Sequence, residues 1–148
     1  MVIQAKNDSS LFSKSCTVSA DIKASPETIW ELMTNASQIP RWNSTVMSLS
    51  GEIVLGNTIE LVSTLDPNRT FKLKVTTLDK PYLMIWEDGF APMFKGVRRY
   101  QLTSKGTVTQ FTMTEVFSGL MLPMIVGSLP DFRANFEQFV KDLKQEAE

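Results

Sequence analysis

Histidine is absent from the 148 residues, and cysteine occurs once, at Cys16. The first absence removes the side chain most often used as general base or zinc ligand near neutral pH. Ser-His-Asp and Cys-His nucleophile systems are therefore excluded, as is a zinc site of Cys/His type, and no metal or cofactor is expected. Any acid–base chemistry falls to Asp, Glu, Lys or Tyr. A lone cysteine cannot close an internal disulfide, which fits a reducing compartment, and a cytoplasmic location is expected. Long apolar runs are missing too. No segment approaches the roughly 20 apolar residues that span a bilayer, and "MVIQAKNDSSLFSKS" lacks the basic start and apolar stretch of a signal peptide. Nor is there a dominant charge. With 15 basic and 16 acidic residues and a formal net charge of −1, nothing predicts attraction to nucleic acid or to an anionic membrane.

What is present is an ordinary globular mixture, 43% hydrophobic and 21% charged. It suits one domain over 1–148, with 1–12 read as an N-terminal extension that is poorly packed or lies at an edge. Cys16, Val18, Ala20 and Ile22 alternate with polar residues, so 13–24 reads as a half-buried strand. "SPETIWELMT" then starts a helix, with Ser25 as N-cap, Pro26 in its first turn and Ile29, Trp30, Leu32 and Met33 as its apolar face, ending at Asn35 or Ala36. "ASQIPRW" reads as a second helical turn stopped by Pro40.

From 44 to 118 the period changes to two. Strands are expected over 44–52, 57–64, 69–79, 81–88, 94–104 and 107–118, joined by hairpin turns into an antiparallel meander. The tail is a helix whose Phe132, Phe136, Phe139, Val140 and Leu143 fall at spacings of three and four. It is the one element large enough to cover the apolar face of the meander, and a sheet curling around it leaves room for a cavity.

The run "IKASPETIWELMTNASQIPRWNSTV", followed by "LGNTIEL", "PYLMIWED", "RRYQLTSKGTVTQFTMTE" and the C-terminal helix, resembles the START-like superfamily, also called SRPBCC or helix-grip, and most closely its polyketide cyclase/dehydrase-like branch. The resemblance runs from about Lys14 to the C-terminus. It implies an α+β helix-grip fold: a curved antiparallel sheet of about seven strands around a long C-terminal helix, with two short helices after the first strand. It also implies a deep apolar cavity between sheet and helix. The superfamily holds lipid carriers, hormone receptors and cyclases, so the resemblance specifies fold better than function.

Counting back from Lys105–Gly106 pairs Ser104 with Thr107, Tyr100 with Phe111 and Arg98 with Met113 in the expected hairpin. Alternation then groups Arg98, Tyr100 and Leu102 with Phe111, Met113, Glu115 and Phe117 on one face, whose apolar members mark it as inner. Arg98 and Glu115 would point inward, diagonal to one another. An inward charge is costly unless paired, so the two either pair or orient a polar group of a ligand. Tyr100 is a candidate cavity hydroxyl; plain core packing is the alternative. Trp42 is placed at the cavity mouth or in packing, and Trp86 and Met84 on the wall. Phe71, Leu73, Phe132 and Phe136 complete the expected lining. Asp66 in "LDPNRT" is read as a turn residue. Glu87 and Asp88 point to opposite faces of a strand and make no metal site. Cys16 is read as a buried strand residue.

"SGLMLPMIVGSLPDF" (118–132) joins the last strand to the last helix. It is read as a helical turn or two before Gly127, with Leu120, Met121 and Met124 facing the cavity as a lid and Pro130 in the first turn of the final helix. Three functions remain open. The first is binding of a small hydrophobic molecule, such as a lipid, polyketide-like or aromatic compound. The second is a cyclase or dehydratase using Glu115 with Tyr100 or Arg98. The third is a non-catalytic interaction module, for instance a homodimer, using the apolar 119–126 segment.

Overall fold

A computed structural model provides the structure and describes residues 3–148. The chain runs β1 (Ala5–Ser10), β2 (Ser13–Ile22), α1 (Pro26–Thr34), a 3₁₀ turn (Ala36–Gln38), α2 (Ile39–Trp42), β3 (Val46–Ser50), β4 (Thr58–Ser63), β5 (Phe71–Asp79), β6 (Leu83–Phe90), β7 (Phe94–Lys105), β8 (Val108–Ser118), α3 (Leu122–Ile125), a second 3₁₀ turn (Val126–Ser128) and α4 (Arg133–Ala147). The strands form one antiparallel sheet of eight in the order β1-β2-β8-β7-β6-β5-β4-β3. This is the helix-grip arrangement, with one strand more than the seven expected. The extra strand is β1, whose sequence "AKNDSS" has no alternating apolar signal and exists by pairing with β2.

Local chemistry explains most boundaries. Ser25 caps α1, its Oγ accepting from the Thr28 N–H at 3.2 Å, and Pro26 occupies the first turn, where no N–H is needed. Pro40 behaves the same way: it sits in the first turn of α2 and starts that helix, where it was expected to stop one. Pro130 moves the other way. It lies three residues before α4, after an extended Leu129, and the Asp131 carboxylate accepts from the Arg133 N–H at 3.0 Å.

The β7–β8 register also differs from the expected one. Lys105 pairs with Val108, so the loop is Gly106–Thr107, and Gly106 takes φ 71°. A glycine at the first loop position is what a II′ hairpin turn requires. The ladder is thereby shifted by two residues. A shift of two preserves faces, because side chains alternate with period two. Arg98 consequently stays inward but stands directly opposite Glu115, where a diagonal relation was expected.

The core lies between the concave face of the sheet and α4. Phe111 from β8, Phe136, Phe139, Val140 and Leu143 from α4, and Ile29, Trp30 and Met33 from α1 are all buried. Polar ties hold α4 across that face. The Asn43 side-chain amide donates to the Phe139 carbonyl at 3.1 Å in a buried setting, and its oxygen accepts from the Thr45 N–H and hydroxyl. At the far edge, the Ala5 N–H donates to Glu137 at 2.8 Å and fixes β1 to the helix.

Candidate ligand cavity

Under α4 the concave face is filled, but beyond its N-terminus it is open. There a cavity of about 360 Å³ lies over β4–β8. Leu61, Phe71, Leu73 and Trp86 form the apolar floor, and Phe94 and Phe117 one wall, their rings stacked at 5.9 Å. Phe117 packs on Phe132 at 5.3 Å, which packs on Phe136 at 5.6 Å, continuing the wall into the core. The roof is the segment leading into α4, through Ile125, Ser128, Leu129 and Pro130. The β4–β5 connection supplies the remaining rim with Leu65, Asp66 and Arg69; Arg69 lies over the Phe71 ring at 4.5 Å. The volume falls in the range of small-molecule sites, which runs from about 300 to 1,000 Å³.

Two details shape the polar end. Gly96, on the inward face between Phe94 and Arg98, contributes no side chain, and this opens the wall beside Glu115. Arg98 and Glu115 face each other with Nε to Oε2 at 3.4 Å, both side chains mostly buried. That separation makes an ionic contact, and neither of these two atoms has a hydrogen-bond partner among the described residues. The Arg98 guanidinium also lies over the Phe136 ring at 5.2 Å. Burial pushes the Glu115 carboxyl above the usual carboxylate range; Arg98 opposes that shift and nearby Asp88 adds to it. Burial also works against the charge on Arg98, but Glu115 and Tyr100 outweigh it and keep the guanidinium ionised. A buried carboxyl beside a fixed cation can orient a polar group of a ligand.

The residues expected from sequence divide into three groups. Phe71, Leu73, Trp86, Arg98, Glu115 and Phe132 meet around the cavity. Met84, Phe111, Met113 and Phe136 are packed in the core outside it. Tyr100 is also core: it borders a void of about 10 Å³ and meets the Trp86 ring edge-on at 5.0 Å. Burial raises its hydroxyl to a pKa of about 12, so it stays protonated. Trp42 packs edge-on to Phe139 at 6.3 Å, away from the mouth.

The third group corrects the lid. The 118–132 segment does make a helical turn, but Leu120 and Met124 point out of the protein, 57% and 80% exposed, and Met121 is also exposed. The reason is backbone pairing: the Leu120 N–H donates to Pro92 and the Met121 N–H to Met93, both at 2.9 Å, which lays this stretch along the β6–β7 tip. Gly119 permits the approach, with φ 130° and a missing Cβ that would strike the Met93 carbonyl. One turn later the facing reverses, and Ile125 and Leu129 are the residues that cover the cavity.

Sequence reasoning missed Gly96, Asp88 and Asp66 as site residues. The period of two carried a signal for the first two: Trp86 inward places Asp88 inward, and Arg98 inward places Gly96 there. Asp66 does make the expected turn, its carbonyl accepting from the Arg69 N–H at 3.2 Å, and it lines the rim as well.

Comparison with known proteins adds the lineage. Residues 13–148 match the family described as polyketide cyclase / dehydrase and lipid transport. Among solved structures, a Rhodobacter sphaeroides protein superposes with TM-score 0.69 at 17% identity, covering 96% of each chain. A START superfamily protein from Mycobacterium smegmatis gives 0.66 at 16%, covering 90% of this chain and 96% of that one. The ginseng major latex-like protein 151 from Panax ginseng gives 0.67 at 15%, covering 91% and 95%. At such identities these likenesses speak for the fold alone. No curated protein matches the chain.

Proposed function

The chain belongs to the polyketide cyclase / dehydrase and lipid transport family, and from that premise we propose that it binds a small hydrophobic molecule in the cavity over β4–β8. The carrying observation is the cavity itself: about 360 Å³, mostly apolar, with one buried ion pair at its polar end. Burial of apolar ligand surface supplies the affinity, and Arg98 and Glu115 orient the ligand. The Met-rich side chains once expected at the lid face solvent, so the shape of the pocket is set by aromatic rings and by Ile125 and Leu129.

Trp86 reports on occupancy, since it forms part of the floor and is itself buried. Titration with medium-chain alcohols, alkyl amides and naphthols should give a saturable change in tryptophan emission that is lost in Trp86→Phe. Native mass spectrometry of the purified protein should show an apolar adduct that is stripped by organic extraction. No saturable response to any of these compounds, together with an adduct-free mass, would sink the reading.

A second reading, contact with another protein through an apolar surface, is favoured by one observation. Phe90, 83% exposed, and Met93 lie at the β6–β7 tip, where the Pro92 and Met93 carbonyls accept from the Leu120 and Met121 N–H groups; Leu120 and Met124 are exposed on that segment, and the Phe12 carbonyl accepts from the Gly119 N–H at 3.1 Å. Exposed apolar groups gathered from three loops mark contact surfaces more often than scattered ones do. Light scattering across a concentration series should show self-association that disappears in Met124→Asp. A monomer at every concentration removes the homodimer form of this reading.

A further inference from the structure

We propose that the cavity seats the anionic head of an apolar ligand on Arg98 and takes up a proton on Glu115 as it does so. The inference rests on the binding function above and names the chemistry of the head group and its linkage to pH.

Arg98 is the cation of the inner wall. It lines the cavity, and its one ionic contact among the described residues is with Glu115. That contact is a poor one. At 3.4 Å the Nε has no hydrogen-bond partner among the described residues, and neither has Glu115 Oε2. One face of the guanidinium is laid on Phe136. A guanidinium presents five N–H groups in a planar fork and is matched best by an oxyanion that accepts from two of them. An apolar chain ending in such an anion fits the aromatic floor and the fork together.

Charge balance is the obstacle, and a proton removes it. The wall carries Asp88 from β6 and Glu115 from β8 against Arg98 from β7. An added anion leaves three negative charges on one positive in a mostly dry site, where unpaired charge is expensive. Glu115 is the group that can give way. It is 9% exposed, and burial, with Asp88 adding, favours its neutral form against the pull of Arg98. Its other neighbours do not change charge. Cys16, paired with it from β2, has its thiol pushed up to about 11, and Tyr100 keeps its proton as well. On α4, Arg133 pairs with Asp131, and Glu137 accepts from the Ala5 N–H. Asp66 and Arg69, of opposite sign, stand at the rim. The linkage is reciprocal: an anion on Arg98 makes Glu115 harder to ionise, and a proton on Glu115 tightens the anion by the same factor. Affinity for the anion is therefore lowest at high pH, where Glu115 is ionised. It rises as pH falls, and levels off once Glu115 is protonated in the free protein too.

The probes are 1-decanesulfonate, whose charge is constant between pH 9 and pH 5, and 1-decanol of equal chain length, both followed through Trp86 emission. On the wild-type protein the sulfonate should gain about tenfold or more in affinity from pH 9 to pH 5, while the alcohol changes little. Calorimetry on the rising part of that curve, in two buffers of different ionisation heat, should count up to about one proton taken up with the sulfonate and none with the alcohol. In Glu115→Gln, which keeps the shape and cannot ionise, the sulfonate should bind equally at every pH and without proton uptake. That variant also separates Glu115 from Asp88, the other carboxylate of the wall. A sulfonate affinity that does not change with pH overturns the proposal, as does a pH dependence that the alcohol shares or that Glu115→Gln retains. An alcohol that binds where the sulfonate fails at every pH overturns it too and leaves the cavity reading standing. If neither probe binds, the cavity-binding reading falls and takes this inference with it.

Discussion

Gly96→Leu is expected to lower affinity for a medium-chain alcohol by about 100-fold or more, with the urea midpoint unchanged or slightly raised. The position is inward, between Phe94 and Arg98 along β7 and opposite Phe117 on β8. Its backbone is ordinary strand, and an added Cβ would touch the Phe117 ring carbons at 3.4 and 3.5 Å, close to normal contact. The first carbon therefore fits. The rest of a leucine side chain has only the cavity to enter. A single misplaced methylene in an apolar pocket is worth about 10–200-fold in discrimination, and leucine adds several carbons. Stability should not fall, because glycine inside a strand is less stable than a residue with a side chain by about 0.5–1 kcal/mol. Gly96→Ala should lose far less affinity. Equal binding by wild type and Gly96→Leu would mean that the ligand sits elsewhere.

Phe111→Ala should destabilise the fold by about 3–5 kcal/mol, the range for removing a buried aromatic ring. Phe111 is fully buried and central, with Tyr100 at 6.2 Å and Phe139 at 6.4 Å. A domain of this kind has about 5–15 kcal/mol to lose, so the variant should unfold at much lower urea or not fold at 37 °C. Phe90→Ala is the control: its ring is almost wholly exposed, and the change should stay within about 0.5 kcal/mol. A Phe111→Ala midpoint close to wild type would show that the sheet and α4 are held mainly by something other than this aromatic cluster.

The two substitutions also mark what the chain made readable. Inward and outward faces followed from alternation, and they survived a ladder misplaced by two residues; Arg98 and Glu115 were therefore found even though their relation to each other was not. The turn was misplaced because glycine takes a positive φ at either loop position; a Lys105–Gly106 loop of type I′ would need a positive φ at Lys105 as well, and no described non-glycine residue has one. Faces do not reveal where along the sheet α4 stops covering it. Phe111, Met113 and Tyr100 share a face with Glu115, yet the helix fills the space above the former and leaves the latter open. The lid failed for a related reason. Leu120 and Met124 are apolar, but backbone hydrogen bonds to Pro92 and Met93 set their direction, and no pattern of hydrophobicity records such bonds. β1 was invisible as a strand because its pairing partner, and not its own side chains, makes it one.

That edge strand governs how copies of the protein meet in a concentrated solution. An unpaired strand edge is a template on which a second chain can add, the usual route to sheet-on-sheet aggregates. Here the outermost strand reads Ala-Lys-Asn-Asp-Ser-Ser, and every residue after Ala5 is exposed. Charges of both signs and short polar side chains reward no apolar partner, and β1 is only six residues long. Growth by strand addition along this side is thereby discouraged, whereas the opposite edge of the sheet, β3, carries the exposed Met47 and is the more adhesive of the two.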